Sequence, residues 1–147
     1  MVTKSVHNTR NRLIRRCIDL CRLYRYAAQA VNELGLRAVL GEDAQALASV
    51  AAELQRDAER AGDQVRSRGS WRAALRCRLV GSTARASARH DQAWIQALAQ
   101  DESALLRAFE KAIADLPEEA ARSLHKQLPR LRSIHLDMHS LAGAAHS

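Results

Sequence analysis

The sequence of 147 residues is poor in the residues that build sheets, tight turns and disulfide frameworks. It has two tryptophans, two tyrosines, one phenylalanine, two prolines and six glycines, a composition that favours α-helix over β-sheet. Its three cysteines are too few, and odd in number, for a disulfide scaffold. No apolar run approaches the roughly 18 residues that span a bilayer, and Met1–Arg16 contains no apolar segment of a secretory signal. We therefore expect an all-α cytoplasmic protein without a membrane span.

Acidic residues are absent from one stretch of the chain, and that stretch carries the whole charge excess. The formal net charge is +7, from 23 Lys and Arg against 16 Asp and Glu. Between Gln64 and His90 there is no Asp, Glu or Lys. The seven arginines of this stretch are Arg66, Arg68, Arg72, Arg76, Arg78, Arg85 and Arg89. They suggest an anionic partner such as nucleic acid, because guanidinium groups bind phosphates regardless of base sequence. The alternative is that they pair with acids on the helices.

Apolar residues recur with spacings of three and four, which predicts four long amphipathic helices. The helices are expected over about residues 9–34, 43–67, 88–114 and 117–142. Gly35 is predicted to end the first helix, and Pro129 is predicted to kink the fourth because proline removes a backbone hydrogen bond. Short links join the first helix to the second and the third helix to the fourth. The two helices of each pair are therefore expected to be antiparallel neighbours.

The link between the second and third helices is long and sets the topology. It covers about residues 68–87 and is expected to contain a short helix. Four helices with one long central crossover form the ferritin-like four-helix bundle. We therefore predict a single ferritin-like domain over residues 1–147.

Segments in several of these helices resemble a known protein family. The segments are Ile18–Ala28, Ala73–Leu75, Asp101–Ala112 and Leu131–Leu141. In them the chain resembles a bacterial ferritin-like family of unassigned function, a domain-of-unknown-function family, over about residues 10–142. The resemblance implies the four-helix bundle and its crossover, and it implies no settled activity. A role in stress response follows only from this likeness to ferritin-like proteins.

A ferritin-like bundle raises the question of a di-metal centre. Such a centre takes a Glu from each of two helices and a Glu-x-x-His motif from each of the other two. No histidine of this chain has a Glu three residues before it. The residues at those positions are Lys4, Ser87, Arg122, Arg132, Leu136 and Gly143. The sequence therefore predicts that the di-metal ligands are degenerate.

Glu102 and His135 are the acid and the imidazole that remain on the predicted apolar faces of the helices. One interpretation is a remnant ligand pair that holds a single iron or zinc ion weakly. The other is a hydrogen-bonded polar pair inside the bundle, with Tyr24 as a possible additional donor. A second candidate metal site is His135 with His139, one turn apart on the fourth helix. Asp137 is expected to point away from the two histidines. The acids expected for the second helix lie off its apolar face.

Motifs of known catalytic sites are also missing, since the chain has no G-x-S-x-G and no glycine-rich phosphate loop. We therefore expect a non-enzymatic bundle with a structural, stress-related or protein-binding role and no required cofactor. A metal-binding bundle that uses Glu102 and His135 and a basic nucleic-acid-binding bundle are the alternatives. A protein partner or a second copy of the chain is the expected kind of partner, because helical bundles often pair through exposed faces.

Overall fold

The computed structural model of the chain describes residues 2–62 and 87–144, and these residues form helices without any strand. The helices are α1 Val2–Ala30, α2 Leu34–Arg60, α3 Ser87–Asp115, α4 Glu118–His125 and α5 Leu128–Ala144. The predicted all-α class is therefore confirmed. Most of the predicted crossover lies outside the described residues. No helix in the described ranges is both long enough and apolar enough to cross a membrane.

The helices pack as a bundle in which α1 contacts α2 and α3, and α5 contacts the same two helices. The N-terminal part of α3 forms hydrogen bonds with the link between α1 and α2. There the Asp91 carboxylate accepts hydrogen bonds from the backbone N–H groups of Asn32 at 2.9 Å and Glu33 at 3.2 Å. His90 donates from Nε2 to the carbonyl oxygen of Ala30 at 2.8 Å. The end of α2 and the start of α3 consequently lie at opposite ends of the bundle.

The interior of the bundle is apolar and draws on every helix. Trp94, Tyr24 and Phe109 are its largest fully buried side chains, and leucines and isoleucines fill most of the remainder. Along α2 the buried positions follow the three-four spacing of a helix that faces a core. They include Leu36, Leu40, Asp43, Leu47, Val50 and Leu54. One of these buried positions is occupied by an acid, Asp43.

The predicted boundary between the first two helices is wrong. Gly35 does not end α1, which stops at Ala30, and α2 begins at Leu34 rather than near residue 43. The reason is a side-chain cap: the Glu33 carboxylate accepts hydrogen bonds from the N–H groups of Gly35 at 2.9 Å and Leu36 at 2.7 Å. Such a cap satisfies backbone donors that have no partner within the helix. Gly35 therefore lies in the first turn of α2.

The fourth predicted helix is divided into α4 and α5, and the division does not lie at Pro129. The chain leaves the helix at Lys126–Gln127, so Pro129 occupies the first turn of α5, where its missing N–H removes no helical hydrogen bond. The side chain of Gln127 is 1% exposed and donates to Glu53 Oε2 at 2.7 Å. Arg130 donates to Gln127 Oε1 at 3.1 Å. These contacts anchor the break against α2.

We expect Gln127, rather than Pro129, to maintain this break. Gln127→Ala removes two hydrogen bonds and leaves a buried space, so it should lower the free energy of unfolding by about 2 kcal/mol. Pro129→Ala should change it by less than about 0.5 kcal/mol, because the proline sits where a helix needs no N–H partner. Urea unfolding followed by circular dichroism measures both. A larger loss for Pro129→Ala than for Gln127→Ala would contradict this account.

Candidate metal centre between α3 and α5

The centre begins with a carboxylate in the interior of the bundle. Glu102, on the inner face of α3, is 1% exposed. His135, half-buried on α5, donates from Nδ1 to Glu102 Oε2 at 2.7 Å. The two residues that the sequence analysis selected are therefore in direct contact, and their hydrogen bond joins α3 to α5.

His139 adds a second imidazole on the solvent side of this pair. Its ring centroid lies 4.1 Å from that of His135, and its Nε2 lies 3.4 Å from Ser103 Oγ. One ligand atom from each of Glu102, His135 and His139 lies within 4.8 Å of the other two. The three side chains run from the buried interior to the exposed surface. They place two imidazole nitrogens and a carboxylate around one point.

The second carboxylate oxygen of Glu102 has no hydrogen-bond partner. Glu102 Oε1 is buried and unpaired within the described residues. Burial raises the pKa of Glu102, and the hydrogen bond and positive charge of His135 lower it by less, so the pKa is raised on balance. A buried polar atom without a partner costs free energy. A cation beside Glu102 would satisfy this oxygen.

A second acid of the interior, Asp43 on α2, was missed in the sequence analysis. Asp43 is 5% exposed, and its carboxyl lies against that of Asp137 on α5. Burial raises the pKa of Asp43 to about 8, with further contributions from the hydrogen bond and repulsion of Asp137. The raised pKa favours the protonated carboxyl of Asp43, which is the form that can donate a hydrogen bond to Asp137. Asp43 lies three residues after Leu40 and four before Leu47, so helical spacing places it on the buried face of α2. The predicted second helix began only near residue 43, so this spacing was not recognised.

Tyr24 is buried on the inner face of α1, but its expected hydrogen bond to Glu102 is absent. The hydroxyl has no partner among residues 2–62 and 87–144. Burial raises the pKa of Tyr24, and the nearby carboxyls of Asp43 and Glu102 raise it further. Tyr24 therefore borders the same polar region from α1 without belonging to the group of three ligands.

The seven arginines predicted to meet an anionic partner are almost all beyond the part of the chain that the structure describes. Six of them lie outside the described residues, namely Arg66, Arg68, Arg72, Arg76, Arg78 and Arg85. Arg89 falls in the first turn of α3, where only the backbone is described. Their role as a binding segment stays a prediction.

Comparison with known proteins identifies the family. A protein-family model described as a domain of unknown function, DUF2383, matches residues 5–115, about three quarters of the chain. The chain belongs to this family, which confirms the expected family of unassigned function. The match includes Asp43 and Glu102 and ends before His135 and His139. No curated protein and no solved structure matches the chain.

The raised pKa of Asp43 predicts a pH dependence of stability. An acid whose pKa is about 8 when folded and near 4 when unfolded binds its proton more tightly in the folded chain, so stability falls as the pH rises through this range. An asparagine at this position keeps a donor for Asp137 without a charge. Asp43→Asn should therefore increase the free energy of unfolding by about 2 kcal/mol at pH 8 and change it little at pH 4.5.

Chemical denaturation at several pH values, with a chelator present, measures this difference. Glu110→Gln, which removes an exposed carboxylate of α3 that does not contribute to the raised pKa of Asp43, is the control and should follow the wild-type curve. Parallel curves for Asp43→Asn and the wild type between pH 4.5 and pH 8 would show that Asp43 does not hold its proton in this way.

Proposed function

For this member of the DUF2383 family, we propose a metal-binding function in which Glu102, His135 and His139 hold one Zn²⁺ or Fe²⁺ ion. The observation that carries the proposal is the mutual approach of their three ligand atoms to within 4.8 Å, from two helices of a packed bundle. Glu102 and His135 were selected from sequence because they lie on apolar helix faces. Their convergence with His139 on one point supports the binding of a single metal ion by all three side chains.

The donor set suits a transition metal. Imidazole nitrogen and carboxylate oxygen bind Zn²⁺ and Fe²⁺, and two histidines with one carboxylate are a common set for both ions. Glu102 would supply a negative charge, and each histidine a neutral ring nitrogen. When bound, such an ion acts as a Lewis acid or, for iron, as a redox centre. Because His139 is exposed, further coordination positions would face solvent.

The electrostatics of Glu102 support a cation at this point. Its carboxyl is almost fully buried, burial raises its pKa, and Oε1 has no partner in the described part of the chain. A divalent cation would favour the ionised carboxylate and occupy the unpaired oxygen. The hydrogen bond from His135 satisfies only one of the two carboxylate oxygens. It therefore offsets only part of the free-energy cost of burying the Glu102 carboxylate.

The second candidate is a structural role for the same pair. The 2.7 Å hydrogen bond between His135 and Glu102 links α3 to α5 whether or not a metal binds, as the sequence analysis also considered. In this case the bundle acts through its surfaces as a structural or protein-binding unit. Metal content separates the two functions, and the stability of the variants shows what the hydrogen bond contributes.

We expect the purified chain to bind about one zinc or iron ion after reconstitution and dialysis. Glu102→Gln and His135→Ala should abolish this binding, because each removes a ligand on the inner side of the site. His139→Ala should weaken it at least tenfold, since two ligands remain. Metal analysis by mass spectrometry and a competition titration with a chelator measure stoichiometry and affinity.

His125→Ala is the control, because His125 is an exposed histidine on α4 outside the site. It should keep wild-type metal content, which excludes binding by histidine in general. Retention of the ion by Glu102→Gln and His135→Ala would reject the proposed site. A wild-type protein without affinity for either ion, together with a lower melting temperature for Glu102→Gln, would favour the structural role.

A further inference from the structure

The outer face of α1 carries an exposed row of cations that neither the fold nor the metal centre uses. Its members are Lys4, Arg12, Arg15, Arg22 and Arg25, all of them exposed. A helix turns by 100° per residue, which places these five positions on one face. From Lys4 to Arg25 the row extends for about 32 Å along the helix. We refer to these five residues as the α1 cation row.

The row has little compensating charge. Residues 2–18 contain no Asp or Glu, and Asp19 is the one acid between Lys4 and Arg25, four residues after Arg15 and three before Arg22. Within the described ranges the five cations form no ion pair. Arginines 12 and 15 form one neighbouring pair and arginines 22 and 25 form another, repeated about 15 Å further along the helix. Long basic side chains thus project from the exposed face of α1.

We propose that the α1 cation row binds the phosphate backbone of nucleic acid. A linear series of cations matches a linear polyanion, and guanidinium groups bind phosphate oxygens through two parallel hydrogen bonds. The row contains no residue set for reading bases, so the binding is independent of sequence and sensitive to salt. This inference does not depend on the metal centre, because the two surfaces share no residue.

A membrane surface fits the row less well. A helix that lies on a bilayer inserts an apolar face between the lipids. The apolar face of α1 is buried in the bundle through residues such as Leu13, Ile14 and Leu20. The exposed neighbours of the row include the polar Asn8 and Gln29 and one aromatic residue, Tyr26, whose ring packs on that of Trp94 with a centroid distance of 5.6 Å. Charge is therefore the main attraction that this surface offers.

Fluorescence anisotropy with a labelled 25-base-pair DNA duplex of random sequence tests the proposal on the full chain. A plot of log affinity against log salt should have a slope of about −3 to −4, as expected for four or so neutralised phosphates. The double variant Arg12→Gln/Arg15→Gln should bind at least tenfold more weakly at 50 mM salt, and its slope should be smaller by about 2. Arg22→Gln/Arg25→Gln should behave in the same way, and it serves if the first variant does not fold.

Arg107→Gln/Arg132→Gln is the charge-matched control, since both arginines are exposed on other helices. It should lose less than about threefold in affinity, because it leaves the row intact. No binding of the duplex at 50 mM salt, or equal losses in the control and the row variants, would overturn the proposal. Binding to vesicles of phosphatidylcholine and phosphatidylserine in place of the duplex would overturn it in favour of a lipid surface.

Discussion

A carboxyl group on the apolar face of a packed helix needs a proton, a hydrogen-bond donor or a cation, and this requirement shapes the interior of the bundle. An ionised carboxylate without a partner costs several kcal/mol inside a protein. Glu102 obtains a donor from His135 across the contact between α3 and α5. For Asp43, burial and the neighbouring Asp137 carboxyl raise the pKa, which favours the protonated form at the contact between α2 and α5. Each solution joins two helices through polar atoms.

Both solutions depend on the position of α5, which makes this helix the element on which the polar interior relies. Apolar side chains hold α5 against the core through Leu131, Ile134 and Met138. Its start is fixed by Gln127, which bonds to Glu53 on α2. A shift of one residue along α5 would turn His135 away from Glu102. The break between α4 and α5 thus helps to set the register that the candidate centre requires.

Periodicity in the sequence was enough to predict the all-α class and the bundle, though not the helix boundaries, because burial repeats with the helix and leaves a pattern in the order of residues. It also located Glu102 and His135, since both lie in phase with apolar neighbours. The start of α2 could not be predicted in this way. It depends on a cap from Glu33 and on Asp91, which is about sixty residues away in the chain. Because the second helix was predicted to begin near residue 43, Asp43 was not recognised as an interior residue. The hydroxyl of Tyr24 shows a further limit, since its direction follows from packing rather than from spacing.

The net positive charge of the chain does not relieve the acids of the interior. Exposed arginines lie in water, where screening reduces their effect on a buried carboxylate to a small fraction of that of a direct contact. Arg107 shows this, because it lowers the pKa of Glu102 by less than the neighbouring His135 does. The cations of the surface and the acids of the core therefore have to be satisfied separately. Water or an external polyanion can satisfy the cations of the surface. The acids of the core need a hydrogen-bond donor or a cation within a few ångströms. No described side chain donates a hydrogen bond to Glu102 Oε1.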